Sequence, residues 1–433
     1  VSFRSRRLAR RLASKFWFVP SLYVLVSLVC SFLLVRWDEL DPIELVRSMD
    51  PDSATSALSA LASGMLVFTG FVTSVSLMVV QFGTSEFSPR FVAWLHRDQT
   101  LKYALSTFTA TFLFALMSTA LVGAGNQLFV PTRTMVAALL LTLLSVFMFL
   151  MLIERTSNGL RVANVVHRVD REARKVFDTV YTAGRSEAAS GEEAIRLLHG
   201  AEPIQVIRQG EVGSVLLSLD LRTLRRLAEE HDAVIEFHAA VGDHVSADGV
   251  LLEVYGDREI SERRLRSAIF TGDERTLLDD PAFAIRMLVD VAIKALSPAV
   301  NDPTTAVQVI DRIEDLLRYA SSKHLSAGFA TDSGGTIRVI YRTPTWDDLV
   351  ELALVEIRAF GAGQYQITRR MFALFDSLLQ DLPAKRHPQI VKQQRLLTEA
   401  IEAALPPSQR AEAFVSDRQG LGLASRRARA DGI

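Results

Sequence analysis

The chain has 433 residues, of which 49% are hydrophobic and 22% charged, with a net charge of −1. So near-neutral a balance excludes a broad electrostatic attraction to nucleic acid or to an acidic partner. The single cysteine, Cys30, excludes an intrachain disulfide, a cysteine zinc site and a Cys-x-x-Cys redox pair.

A mean hydropathy of +0.21 in a chain this charged implies an uneven distribution, and the apolar residues crowd into the first third. A bilayer span needs about 20 mostly apolar residues. Four runs meet that need, at 16–35, 64–82, 103–124 and 134–153, and none contains Asp, Glu, Lys, Arg or His. A charge at mid-bilayer is costly, so its absence supports all four spans. Residues 1–15 are dense in Arg and Lys, whereas the loop after the first run is mainly acidic. The positive-inside rule then predicts a cytoplasmic N-terminus, and four crossings return everything past 154 to the cytoplasm. The expected location is the inner (plasma) membrane, with the lipid bilayer as first partner. The first run has no small-x-small end and a second span follows, so it reads as an anchor rather than a cleaved signal.

Thr69, Thr73, Ser76 and Gln81, with Gly70 and Ser74, fall mostly on one side of the second span. The third repeats the habit with Ser106, Thr107, Thr109, Thr111, Ser118 and Thr119. Such residues either bond helices to one another or line a pore or substrate path. With no mid-membrane acid or base, a proton relay or strongly charge-selective filter is disfavoured. Between these spans, Ser88 and Pro89 read as the cap and first residue of a short helix. Phe91, Trp94 and Leu95 give it an apolar side, and Arg90, Arg97 and Asp98 a charged one. It is expected to lie along the interface or against the soluble domain.

Residues 154–185 read as a juxtamembrane helix with a stripe of Val162, Val165, Val166, Val169, Val176 and Val180, packing on a partner copy or on its own domain. A linker follows to 202. Residues 203–257 alternate strands and turns around one short helix capped by Asp220, with Leu221, Leu224, Leu227 and Ala228 inward. VGDHV, then DG and an apolar strand, resembles the barrel-sandwich fold of lipoyl and biotinyl carriers. The stretch has no lysine to carry a cofactor, so no cofactor is expected and a structural or oligomerising module is. His238 and His244 flank its central turn; with no third ligand in sequence, no metal is expected.

The densest motif spans 272–306. Asp280-Pro281 and Asp302-Pro303 each read as N-cap and N1 proline, opening helices at about 281–296 and 303–320. Phe283, Met287, Leu288, Val291 and Leu296 should face inward. Arg286, Asp290 and Lys294 lie four apart and line one face. Helix N-termini attract anions, and Arg275, Arg286 and Lys294 would complete a phosphate or carboxylate site. The candidate ligand-binding set is Arg275, Thr276, Asp280, Arg286, Asp290, Lys294, Asn301, Asp302 and Thr304. The competing reading is capping plus an internal salt-bridge lattice. A weaker one is a divalent cation on Asp279, Asp280 and Asp302. Beyond this, 321–335 reads as a loop, GTIRVIYR as one strand, and the chain from Thr345 to about 405 as helices. Residues 411–433 read as a mobile tail.

The segments FSPRF (87–91), VGDHVSADGVLLEV (241–254), DERTLLDDPAFAIRMLVDVAIKALSPAVNDPTTA (273–306) and VEIRAFGAG (355–363) resemble, in order, a family of bacterial and archaeal predicted membrane proteins, domain-of-unknown-function family 2254. Asp279, Ala284 and Ala299 depart from the pattern, which has Gln, Gly and Gly there. The resemblance covers nearly the whole chain and implies the fold and membrane location, with no activity attached.

The expected architecture is an α-helical integral membrane domain of four spans (16–153), a juxtamembrane helix and linker (154–202), a barrel-sandwich-like β module (203–257) and a mainly helical domain with helical hairpins (258–410). The soluble parts form an α+β cytoplasmic domain. No Walker loop, His-Glu-x-x-His, Gly-x-Ser-x-Gly or dinucleotide fingerprint points to catalysis. The leading expectation is a homo-oligomeric channel or transport-type protein taking a small anion or ion. A membrane-anchored sensor or scaffold is the alternative. A hydrolase or transferase using Asp279, Asp290 or Asp302 is the third.

Overall fold

The computed structural model describes residues 17–41, 50–86, 99–124, 130–159, 161–181, 202–325 and 328–422. The basic N-terminus, the end of the helix expected over 154–185, nearly all of the linker up to 202, and the FSPRF segment with its expected short helix lie outside them. The chain divides into two compact units, 1–161 and 162–433.

The first unit holds four helices long and apolar enough to cross a membrane: α1 (Phe18–Leu40), α2 (Pro51–Glu86), α3 (Gln99–Ala124) and α4 (Thr132–Gly159). α3 packs against each of the other three and fills the middle of the bundle. The buried residues of α1 are Ser27, Ser31, Val35 and Asp38, spaced at helical period, while Leu25, Phe32 and Leu33 face outward. On α1, small and hydroxyl side chains therefore face mostly inward and large apolar ones outward, a pattern suited to a lipid-facing helix. α2 begins at Pro51, well before the expected start at 64. Its first turns are rich in Ala and Ser and low in hydropathy. They belong to the bundle because Ala54, Leu58 and Ala62 are buried, with Leu58 packed on Phe114 and Ala138.

The second unit opens with α5 (Val162–Tyr181). The single helix expected over 154–185 is thus divided: α4 ends at Gly159 and α5 starts at Val162. The valine stripe buries Val165, Val166, Val169 and Val176 against α8 (Pro281–Ala295) and α9 (Pro303–Ser321) of its own unit. Of the two packings expected, the chain uses its own domain.

Strands β1 (Gln205–Arg208), β2 (Ser214–Leu219), β3 (Val234–Phe237), β4 (His244–Val245) and β5 (Val250–Tyr255) flank α6 (Leu221–Glu230). They do not make a closed module. The short helix α7 (Glu262–Ser267) leads to β6 (Ile269–Gly272), and a later hairpin supplies β7 (Gly328–Thr331) and β8 (Ile337–Tyr341). The sheets run β1-β5-β3-β8-β7 and β4-β2-β6, so no barrel is closed among the described residues. The barrel-sandwich expectation is not confirmed: β3 pairs in parallel with β8, and β2 pairs with β6, both strands from beyond residue 257. Local turn chemistry shows hairpins, but not which distant strand satisfies a ladder. β7 arises inside the stretch expected as loop. Asp332 turns the chain by accepting from the Gly334 and Thr336 N–H groups. One core, with Leu216, Leu224, Ile235, Leu252 and Val339 fully buried, joins both sheets to α6.

The remaining helices are α10 (Trp346–Gly361), α11 (Tyr365–Asp381), α12 (His387–Ala404) and α13 (Pro407–Ala413). α8 is buried on nearly every side and packs against α5, α9 and α10. The expected tail from 411 is corrected through residue 422. Asp417 is buried, its N–H bonds the Arg369 carbonyl, and Gln366 donates to the Gly420 carbonyl at 2.6 Å.

Candidate functional site

α8 gathers three of the four motif segments. At its N-terminus, Asp280 is the expected cap and accepts from the Phe283 N–H at 2.9 Å. Pro281 follows at N1, where no N–H is needed. The second Asp280 oxygen is taken by Arg275, whose guanidinium also lies 5.5 Å from the Phe283 ring centroid. Gly242, of the VGD turn, has φ +99°, and a Cβ there would meet Asp280 Oδ2 and the Arg275 guanidinium. The turn needs glycine for its backbone and for this close approach. Burial pushes the Asp280 carboxyl upward, against the pull of Arg275 and the cap bond. Ser218 donates to neighbouring Asp279. Thr276 Oγ is buried with no hydrogen-bond partner among the described residues.

One and two turns along, Arg286 Nε meets Asp290 Oδ1 at 2.6 Å, as the i,i+4 spacing predicts. The sequence did not show the other half of this contact. Arg286 makes a two-pronged pair with Glu356 of α10, inside VEIRAFGAG. Hydrogen bonding to Glu356 outweighs burial and holds Arg286 above its ordinary pKa. Lys294 is half-buried further along α8 and engaged.

At the far end, Asp302 caps α9 by accepting from the Thr305 N–H at 3.1 Å. Asn301 takes a left-handed conformation with φ +49° that turns the chain between the two helices, and Thr304 is exposed. α8 has 15 residues. At 1.5 Å per residue it separates the two helix starts by about 22 Å. The nine candidate residues thus fall into three places: Arg275, Thr276 and Asp280 at one end, Arg286, Asp290 and Lys294 along the shaft, and Asn301, Asp302 and Thr304 at the other end. They do not converge on one anion. Asp279, Asp290 and Asp302, considered for hydrolysis, are engaged by Ser218, Arg286 and the Thr305 N–H.

A second charged network joins α9 to α11. Arg370, 6% exposed, reaches Asp311 Oδ1 and Glu314 Oε2 at 2.6 Å each. Glu314 also accepts from Arg318 and Ser377. Burial alone would raise Glu314, but the bonds from Ser377, Arg318 and Arg370 win and hold it below its ordinary value. Of the two histidines that flank the expected turn, His238 is drawn to Glu253 and His244 lies against Gly213.

In the spans, Thr69 and Thr73 donate back to the Met65 and Thr69 carbonyls of their own helix at 2.6 and 2.7 Å. Ser76 is half-buried, and Gln81 is exposed yet engaged. The hydroxyls that cross between helices lie elsewhere. Ser27 bonds the Ala110 carbonyl at 2.6 Å, and Ser31–Ser118 and Thr111–Ser145 pair at 2.9 Å. Asp38, fully buried, accepts from the Arg133 N–H and from the Thr134 N–H and hydroxyl where α4 begins.

Four apolar helices with inward hydroxyls, followed by a mixed helix-and-sheet unit, fit the architecture of a membrane protein. The family described as "Predicted membrane protein (DUF2254)" matches residues 13–377, and the chain belongs to that family. It is similar to the uncharacterised protein Mb1321c of Mycobacterium bovis, with 24% identity over 386 residues, covering 86% of this chain and 73% of that one. The uncharacterised protein Rv1290c of Mycobacterium tuberculosis is similar to the same extent, with 24% identity over the same coverage. No solved structure matches the chain.

Proposed function

We propose that this protein is a membrane-anchored scaffold or sensor, in which the spans hold the second unit at the cytoplasmic face of the inner (plasma) membrane. One observation carries this reading. α3 occupies the middle of the bundle, and Ser27, Ser31, Thr111, Ser118 and Ser145 are spent on bonds between its neighbours and itself. A bundle so filled supports anchoring better than conduction through its own axis. The orientation rests on the basic residues before the first span. An anion at 275–305 would have to draw Arg275 or Arg286 away from its carboxylate, so ligand entry there would open the links between α8, the VGD turn and α10.

A homo-oligomeric channel or transporter is the second reading. Ser63, Gly64, Gly70 and Ser74 are exposed on α2, among outward-facing Leu66, Val67 and Phe71. A conducting path of this kind would run between copies. Reconstitution into liposomes separates the two. The scaffold predicts ion flux no greater than that of protein-free vesicles, and no disulfide-linked dimer from Gly70→Cys in a Cys30→Ser background. Flux that Ser74→Leu abolishes, together with that cross-link, would replace the scaffold with the channel.

A further inference from the structure

Strand alternation sends Ile235 and Phe237 of β3 into the core, and Leu252 and Val254 of β5 into the same core. Glu236, His238, Glu253 and Tyr255 are left on the opposite face. Antiparallel pairing then sets Glu236 directly opposite Glu253. The register extends that row with Val206 beside Glu253, Ile340 beside Glu236, and Phe329 beside Ile340. Like charges directly opposed on a sheet repel. Here both flanks of the pair are apolar, and Arg208, two positions along β1, acts on Glu253 by its charge alone.

Into this row comes His238, just past β3, with Nε2 at 2.9 Å from Glu253 Oε2. One donor atom each from Glu236, His238 and Glu253 lie mutually within 4.8 Å. The Tyr255 hydroxyl donates to the same Glu253 oxygen at 2.7 Å. Burial first, then the bond to Glu253, pushes the Tyr255 hydroxyl far up, so it remains a donor. Burial would raise Glu253, but the Tyr255 and His238 bonds outweigh it and keep the carboxylate ionised.

We propose that Glu236, His238 and Glu253 form a binding site for a divalent transition-metal ion of the Zn2+ or Mn2+ class, with Tyr255 orienting Glu253. One imidazole and two carboxylates suit borderline first-row ions, whereas Ca2+ and Mg2+ take oxygen alone. An ion at 2.0–2.2 Å from each donor sets adjacent ligand atoms about 3 to 3.5 Å apart, so the donors, within 4.8 Å of one another, need close by no more than about 2 Å. The ion would turn the repulsion between the two glutamates into attraction. The His238 side chain is 43% exposed, which leaves a route for the ion and for water to complete its shell. The site is independent of the scaffold reading; it would also give a sensor its input.

The test uses the full chain in detergent, stripped with EDTA and carrying no histidine tag. Calorimetric titration with ZnCl2 and MnCl2, and metal analysis after gel filtration, are expected to give one equivalent per chain, with CaCl2 far weaker. Glu236→Gln, Glu253→Gln and His238→Ala are each expected to weaken binding at least about tenfold. Tyr255→Phe should weaken it less, and His244→Ala not at all. Absence of stoichiometric binding overturns the site, as does binding that survives His238→Ala unchanged. The histidine variant alters an exposed side chain outside the core, so it decides the matter even if the glutamate variants do not fold.

Discussion

The two units solve the same problem, burying polar groups, in opposite ways. α1 turns Ser27, Ser31 and Asp38 inward and leaves Leu25, Phe32 and Leu33 outside. α5 turns Val165, Val169, Val176 and Phe177 inward and leaves Arg171 and Lys175 outside. Within the bundle of the first unit, helix-to-helix bonds join neutral hydroxyls and carbonyls, and the charged contacts, Arg133 with Asp38 and Asp41, gather where α4 begins. In the second they are charged and multidentate, as in Arg286–Glu356 and the Arg370–Asp311–Glu314 network. The difference is the one that lipid around the first unit and water around the second would impose. Lipid tails are as apolar as leucine, so close approach and weak hydrogen bonds hold spans together. Water rewards apolar burial and tolerates charge at the edges of helix contacts.

The contrast is broken most sharply at Arg370. Arg370→Ala should destabilise the full chain by about 3 kcal/mol, because it removes two charge-assisted bonds and leaves Glu314 with only Arg318 and Ser377. Thermal unfolding in detergent should show the loss, with Arg370→Lys recovering part of it. Equal stability of the alanine variant would place the network among contacts without energetic weight. Asp38, the one strongly buried carboxylate among the described residues of the first unit, is the next test. Asp38→Ala removes the acceptor for two N–H groups, a hydroxyl and the Arg133 guanidinium at the start of α4, at a cost of about 2 kcal/mol. Faster proteolysis near 130–134 is the expected readout.

A pH titration sharpens the second unit's side of the comparison. Glu314 is held below its ordinary value when folded, so it contributes stability fully above the unfolded value. That contribution is lost as the pH falls through the folded one. Glu314→Gln should therefore lower stability near neutrality and flatten the acid limb of the unfolding curve. An unchanged acid limb would assign the acid sensitivity elsewhere. The smallest effect belongs to the neutral hydroxyls. Thr111→Val deletes the bond to Ser145 and should cost only about 0.6 kcal/mol, measured by the same thermal unfolding.

Much of the α8 region was legible because its signals are local. Asp-Pro caps, and the Arg286–Asp290 pair four residues apart, depend on a single turn of helix. Glu356 was not legible, because its partner is 70 residues away and only helix packing chooses it. The separation of the candidate anion residues was implicit in the length of α8, yet nearness in sequence suggested one site. Glu236 and Glu253 were hidden for a related reason. Alternation on each strand shows which residues share a face, but the register that opposes the two glutamates belongs to the sheet.

Sequence by itself determined the four apolar helices, the inward caps of α8 and α9, and membership in the membrane family. These follow from transfer energies and from backbone groups satisfied within a turn or two. Tertiary structure alone decided that β3 joins β8 and β2 joins β6, that α5 packs on its own domain, and that His238 lies near two carboxylates. Those outcomes depend on which distant surfaces bury one another best, a choice that no short stretch of chain encodes.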